Sequence, residues 1–326
     1  MPQTVCAILD DYQGVALRLA DWSAVERVAE LRVFREPFAD EDALVAAVSD
    51  CDVVVAMRER TPFRASAFER LPRLRLLVTT GMRNAAIDME AARARGVTVC
   101  GTASLGEPPA EITWALLLAL AKHLVPESAA FRQNGPWQST VGTDLKGRQL
   151  GLLGLGKIGS QVARVGAAFG MDVVAWSQNL TEDKAKAGGA RYVSKDELLK
   201  TSDFVSIHLV LSDRTRGLLK ADDLAKMKKT AMLINTSRGP IVEEAALIAA
   251  LKNGTIAHAG LDVYDREPLP AGHPLTKLDN VTLVPHLGYV VEESYHHFYE
   301  GTIKNVEAWL DGKPINVINP EALQKA

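Results

Sequence analysis

Three residues in the second half of the chain, Arg238, Glu267 and His286, have side chains suited to moving a proton beside an anion. Arg238 closes the apolar run Ala-Met-Leu-Ile-Asn-Thr-Ser, Glu267 follows Ala-Gly-Leu-Asp-Val-Tyr, and His286 ends Val-Thr-Leu-Val-Pro-His. Arginine carries a permanent charge in a planar fork that matches a carboxylate. Histidine exchanges a proton near neutral pH, and a carboxylate beside an imidazole favours its charged form. Reduction of a 2-oxo acid by a nicotinamide needs such a set: a cation for the carboxylate and ketone, and a donor for the oxygen that becomes a hydroxyl. Taken singly, each residue has a plainer reading: a surface ion pair, a turn carboxylate, a strand-end histidine.

A second signal is Gly154-Leu-Gly156-Lys157-Ile158-Gly159, between the strand-like Gln149–Leu153 and a helical stretch closed by Gly170. The spacing alone recurs by chance, but here it lies in a strand–turn–helix setting. Gly154 then allows the tight turn, Gly156 admits a pyrophosphate, and Gly159 lets the helix pack on the strand. The free first-turn amides, Lys157 and Ile158 among them, would hold the phosphates. The next strand ends in Ser177-Gln178-Asn179, with no carboxylate to repel a 2′-phosphate and no arginine to clamp one. Either NAD(H) or NADP(H) is compatible, with a lean toward tolerating NADP(H).

Those residues must be positioned by a sheet. Apolar runs at 5–9, 31–34, 52–56, 74–79 and 97–100 read as strands, with helices at 18–30, 41–48, 63–70 and 89–95. After one long apolar helix at 111–123 and a loop at 131–147, the alternation restarts. Strands are expected at 149–153, 172–176, 191–193, 204–208, 231–235, 258–263 and 281–284. Helices fall at 157–169, 195–200, 221–227, 243–252 and 292–311. Strands alternating with helices predict parallel sheets covered on both faces, in about two domains for 326 residues. In such sheets the carboxyl ends of the strands line the ligand crevice, and Arg238, Glu267 and His286 all stand at such ends. The 111–123 helix reads equally as a bridge, a dimer element or a core helix.

Composition narrows the class. Hydrophobic residues at 47% and charged residues at 24% suit a globular protein and exclude a disordered or low-complexity chain. The net charge of −3, without a run of one sign, points to neither nucleic acid nor a membrane surface as partner. The longest apolar stretch, 112–121, is half the ~20 residues of a spanning helix. The N-terminus lacks a basic segment and a small-residue cleavage site, so a cytoplasmic protein is expected. Cys6, Cys51 and Cys100 show no metal-ligand spacing, and Cys6 and Cys51 are expected to be buried, inert thiols.

The blocks GRQLGLLGLGKIGSQVA, LINTSRGPIVEEAALIAAL, AGLDVYDREPLP and VTLVPHLG resemble those of the D-isomer-specific 2-hydroxyacid dehydrogenase family. They carry its dinucleotide turn and, in its order, its arginine, glutamate and histidine. The likeness covers nearly the whole chain and is most specific between Lys146 and Gly288. It implies two doubly wound parallel-sheet α/β domains: a Rossmann NAD(P)-binding domain (102–287) inserted into a flavodoxin-like substrate domain (1–101 and 288–326), closing over the substrate. It implies that Arg238 binds the carboxylate and keto oxygen and that His286 is the acid/base, oriented and charged by Glu267. Asp262 would hold the nicotinamide carboxamide, with Thr236 and His208 along the cofactor. It also implies a small 2-oxo or 2-hydroxy acid as substrate and, with the long helix, a homodimer.

Some positions depart from the family. In the loop Thr79-Thr80-Gly81-Met82-Arg83-Asn84, Arg83 stands where a second glycine is usual, although the Met82 and Arg83 amides remain available to a carboxylate. Its side chain either points to solvent or adds positive charge suited to a second carboxylate or a phosphate. Val210 replaces a proline after His208, and Tyr289 replaces a small residue after His286-Leu-Gly. The formate-oxidising branch has glutamine where Glu267 stands, which argues against that reaction. The competing reading is a nucleotide-sensing interaction protein on the same fold, binding a nicotinamide without turnover.

Overall fold

In a parallel sheet with both faces covered, a strand is buried on two sides and reads as a continuous apolar run. The computed structural model describes residues 4–104 and 108–325 and shows such runs as two all-parallel sheets. Contacts divide the chain into two units, Met1–Leu105 with Val291–Ala326, and Gly106–Val290.

In the first unit, β1 (Thr4–Ile8), β2 (Ala29–Val33), β3 (Val53–Ala56), β4 (Leu76–Thr79) and β5 (Thr98–Gly101) pair in the order β2-β1-β3-β4-β5. The order reverses at β1/β3, as in flavodoxin-like folds, so the segments after those strands open onto one crevice. Phe63, Phe68, Leu44, Val54 and Leu77 fill one side of the sheet. The helix Glu292–Leu310 buries Tyr295, Phe298, Tyr299 and Val306. Cys6, Cys51 and Cys100 are free and buried, and burial pushes their thiols up, Cys51 to about 11, which leaves them unreactive.

The second unit pairs β6 (Gln149–Leu153), β7 (Asp172–Trp176), β8 (Arg191–Tyr192), β9 (Phe204–Ile207), β10 (Met232–Asn235), β11 (His258–Leu261) and β12 (Val281–Leu283) in the order β12-β11-β10-β9-β6-β7-β8. Its reversal lies at β6/β9, which places the glycine turn and His208 at the switch point.

Three local expectations are corrected. The helix expected at 18–30 shrinks to Ser23–Glu26, because Ala29–Val33 pairs with β1 instead; the ladder overrides local helix propensity. The expected loop at 131–147 begins inside a helix, Leu124–Arg132, which buries no residue and therefore shows no apolar stripe. A further helix, Glu182–Ala187, is held by a Thr181 cap that accepts from the Lys184 amide. The long apolar helix runs over Pro108–Ala121 and is a core helix of the second unit. Leu116, Leu117 and Leu120 join Leu150, Leu152 and Ile234 in one cluster. No helix among the described residues is long and apolar enough to cross a membrane.

Candidate active site

The dinucleotide turn is built by absent side chains. Gly154 has φ +101°, and a Cβ there would overlap the His208 carbonyl. A Cβ on Gly159 would overlap the Gly154 carbonyl, so the helix Lys157–Ala168 sits directly on the turn. Gly156, the N-cap of that helix, has nothing within 4 Å of the position a Cβ would take, and no side chain caps it. The first-turn amides, with no carbonyl one turn before them, thus face open space at the positive end of a twelve-residue helix. That cradle fits the pyrophosphate of a dinucleotide.

Beside it, the Gly154 amide donates to the Trp176 carbonyl at 2.8 Å, which brings the end of β7 against the turn. Ser177 is half-buried there, and Gln178 and Asn179 are exposed. His208 follows β9; its Nε2 lies 2.9 Å from the Ser206 hydroxyl, and burial pushes its imidazole down to about 4. A ring held neutral in this way is a poor proton store at neutral pH.

Arg238 stands at the end of a turn that begins on β10. The Ser237 hydroxyl donates to the Ile207 carbonyl at 2.7 Å, and the Asn235 side-chain amide donates to the Arg238 carbonyl at 3.0 Å. One guanidinium nitrogen, Nη1, donates to the Ser237 carbonyl at 2.7 Å, and the side chain is half-buried. Thr236 meets Thr113 through their hydroxyls at 2.7 Å. Gly239 is wedged against the Tyr264–Asp265 peptide, where any Cβ would overlap the Tyr264 carbonyl carbon. The arginine turn and the glutamate loop therefore pack backbone to backbone.

His286 and Glu267 form a pair. The Nδ1 atom of His286 lies 2.6 Å from Glu267 Oε2, and Glu267 Oε1 accepts the Tyr264 amide at 2.9 Å. With Nδ1 committed to the carboxylate, Nε2 is the nitrogen left for a ligand. The Tyr289 ring stands edge-on at 5.3 Å. His286 has φ +53°, a conformation costing about 1–3 kcal/mol for a non-glycine residue and kept only where neighbours enforce it. Asp262 is one enforcer: Oδ1 accepts the Leu287 amide at 2.5 Å and Oδ2 the Gly288 amide at 2.9 Å. Its carboxyl is fully buried, and desolvation raises it to about 6 against those amide bonds and the nearby His286. The residue expected to hold a carboxamide is thus also an anchor of the histidine segment, a role no sequence pattern announces.

In the first unit, Met82 and Arg83 follow β4 and are exposed. Among the described residues their amides donate to no protein acceptor. The Arg58 guanidinium fills the space a Cβ on Gly81 would need, and its Nη1 donates to the Thr80 carbonyl at 3.3 Å. Sequence reading missed Arg58; its only signal is its place at the end of an apolar strand.

The second unit thus combines a glycine cradle at a β/α switch point with an imidazole–carboxylate pair at the ends of neighbouring strands. The family model for the D-isomer specific 2-hydroxyacid dehydrogenase NAD binding domain matches residues 114–288. A glyoxylate reductase of Korarchaeum cryptofilum is 37% identical over 311 residues, covering 93% of each chain. A glyoxylate/hydroxypyruvate reductase B of Yersinia enterocolitica is 40% identical over 266 residues, 79% of this chain and 81% of that one. A solved structure described as a putative D-3-phosphoglycerate dehydrogenase from Ralstonia solanacearum superposes with a TM-score of 0.92 at 37% identity, covering 98% of each chain. The chain belongs to the D-isomer-specific 2-hydroxyacid dehydrogenase family and is an NAD(P)-dependent 2-hydroxyacid dehydrogenase.

Proposed function

We propose that the enzyme reduces short 2-oxo acids, glyoxylate and hydroxypyruvate first among them, and works reversibly on the corresponding (R)-2-hydroxy acids. The observation that carries this reading is the His286–Glu267 contact at 2.6 Å, which leaves one imidazole nitrogen free for a substrate oxygen. The bound dihydronicotinamide supplies the hydride. Arg238 holds the carboxylate and the keto oxygen, and its charge stabilises negative charge developing there. His286 Nε2 delivers the proton that completes the hydroxyl, while Glu267 holds Nδ1 and balances the imidazolium. In oxidation His286 takes the proton back.

The Met82 and Arg83 amides give a second hold on the carboxylate, which their lack of protein acceptors among the described residues supports. Gly154, Gly156 and Gly159 with the Lys157 and Ile158 amides take the pyrophosphate, and Ser177, Gln178 and Asn179 contact the adenosine ribose. Without a carboxylate at that point, both NAD(H) and NADP(H) are accepted. His208 and Thr236 would line the cofactor, and Asp262, whose oxygens keep lone pairs beyond the two amide bonds, would hold the carboxamide. Residues 102–287 serve as the cofactor domain and residues 1–101 with 288–326 as the substrate domain.

A homodimer fits the helix Leu124–Arg132 and the segment after it, which expose Leu124, Val125, Phe131, Trp137 and Val141. A monomer mass in light scattering would refute it. A cytoplasmic setting suits three free thiols and the nicotinamide pool. A phosphorylated 2-hydroxy acid is the second reading. It is favoured by exposed Arg83, which has no ion-pair partner among the described residues, and by the name of the Ralstonia structure.

The test is oxidation of NADH and NADPH, side by side, with glyoxylate, hydroxypyruvate, phenylpyruvate, oxaloacetate and phosphohydroxypyruvate. Turnover with glyoxylate or hydroxypyruvate is expected. Tight nucleotide binding with no turnover on any of them would move the reading to a nucleotide sensor.

A further inference from the structure

Through one residue, Tyr264, the loop after β11 touches Glu267 and the strand end that leads to His286. Tyr264 is 8% exposed, with its ring in the apolar core of the second unit. Its backbone amide donates to Glu267 Oε1 at 2.9 Å. Its hydroxyl lies 2.8 Å from the Val284 carbonyl and 3.2 Å from the Leu261 carbonyl. A phenol has a single proton, so the shorter contact, to Val284, is the bond that persists. Burial and the neighbouring Asp262 and Glu267 carboxylates push this phenol above its ordinary range, so it stays a donor.

Val284 is where the sheet lets go of the chain. Its amide makes a last ladder bond to the Leu261 carbonyl at 3.0 Å, and Pro285 has no N–H to continue it. His286 follows directly, in the left-handed region. Downstream of it, Asp262 takes the Leu287 and Gly288 amides. Upstream, the Tyr264 hydroxyl is the side-chain contact that holds the Val284 carbonyl. Residues 262 and 264 thus grip the histidine segment from either side, and residue 264 grips the glutamate as well.

We infer that Tyr264 is a positioning residue of the acid/base pair: its hydroxyl fixes the strand end that carries His286 while its amide fixes Glu267. This rests on the acid/base reading given above. The ring alone would fill the core equally well as phenylalanine. What tyrosine adds is one O–H, donated to the Val284 carbonyl, which also accepts the His286 amide at 3.1 Å.

Tyr264→Phe keeps the ring and removes the hydroxyl, so the fold and the thermal midpoint should hold within a few degrees. We expect kcat to fall about tenfold, as for one lost hydrogen bond of ordinary strength. KM for the 2-oxo acid and Kd for the nucleotide should stay within twofold. The solvent deuterium isotope effect on kcat should rise as proton delivery slows, a change that general loosening of a core does not produce. A readout without turnover separates the two readings. In 15N-histidine-labelled protein, with His286→Gln assigning the signal, the Nδ1 proton of His286 should exchange with water faster in Tyr264→Phe. Unchanged exchange together with unchanged kcat and isotope effect would overturn the inference. Faster exchange with unaltered turnover would uphold the positioning role and overturn the acid/base reading instead.

Discussion

Glu267 divides its two oxygens between two partners: Oε2 lies 2.6 Å from His286 Nδ1, and Oε1 accepts the Tyr264 amide at 2.9 Å. The carboxylate is therefore oriented by backbone before it meets the imidazole. A charge-assisted bond of this kind contributes roughly 1.5–3 kcal/mol. Here its main effect is directional, since it assigns Nε2 to the substrate.

Replacing His286 with glutamine should remove the proton donor and leave the glycine cradle untouched. We expect kcat to fall about 10²- to 10⁴-fold, the usual yield of general acid catalysis, with nucleotide Kd unchanged in a fluorescence titration. Glu267→Gln, which keeps an oxygen for Tyr264 but loses the charge, should show a smaller loss. Wild-type kcat in His286→Gln would sink the assignment.

Gly239→Ala probes the contact between the arginine turn and the glutamate loop. The added methyl would overlap the Tyr264 carbonyl carbon, so one backbone must shift. A destabilisation of about 1–3 kcal/mol is expected, as for other overpacked sites. Because the shift separates Arg238 from Glu267, kcat/KM should fall further than the loss of folded protein explains. Thermal melts and kinetics on the same preparation check both points.

Arg83 is exposed and lies beside amides proposed to hold a carboxylate. If its charge reads a second anionic group, Arg83→Ala should lower kcat/KM for oxaloacetate or phosphohydroxypyruvate about tenfold, the worth of one charge-assisted bond. Values for glyoxylate should change less than twofold. An equal loss on every substrate would show that the side chain serves the loop and not the tail.

His208 makes a pH prediction whose sign follows from its environment. Burial lowers its pKa from 6.5 to about 4 in the folded chain, so the native state favours the neutral ring. The unfolded chain binds the proton first as pH falls. Stability is thus full above pH 6.5 and declines between 6.5 and about 4. His258, also lowered by burial and by His123, adds in the same direction. The thermal midpoint should drop from pH 7.5 to 5, and less steeply in His208→Gln. A midpoint independent of pH over that range would contradict the account.

Much of this protein is written in local terms. The glycine turn at 154–159 is legible because its requirements, a positive φ and open space before a helix, belong to six consecutive residues. The strands are legible because two-sided burial demands unbroken apolar runs, and β6 and β7 fall where those runs lie. Arg238, Glu267 and His286 stand out because each polar side chain ends such a run. The helix Leu124–Arg132 escapes sequence reading because it buries nothing, and β2 begins inside an expected helix because β1 offers it a ladder.

The pairing of Glu267 with His286, the two amides taken by Asp262 and the reach of Tyr264 to Val284 are another matter. They join residues from separate strands, and no spacing along a chain encodes a distance across a sheet. Composition, runs and glycines determined the class of fold and the types of group at its strand ends. Only the tertiary structure decided which nitrogen of His286 is committed and what holds it there, because those facts depend on a register between β11 and β12 that is set by packing.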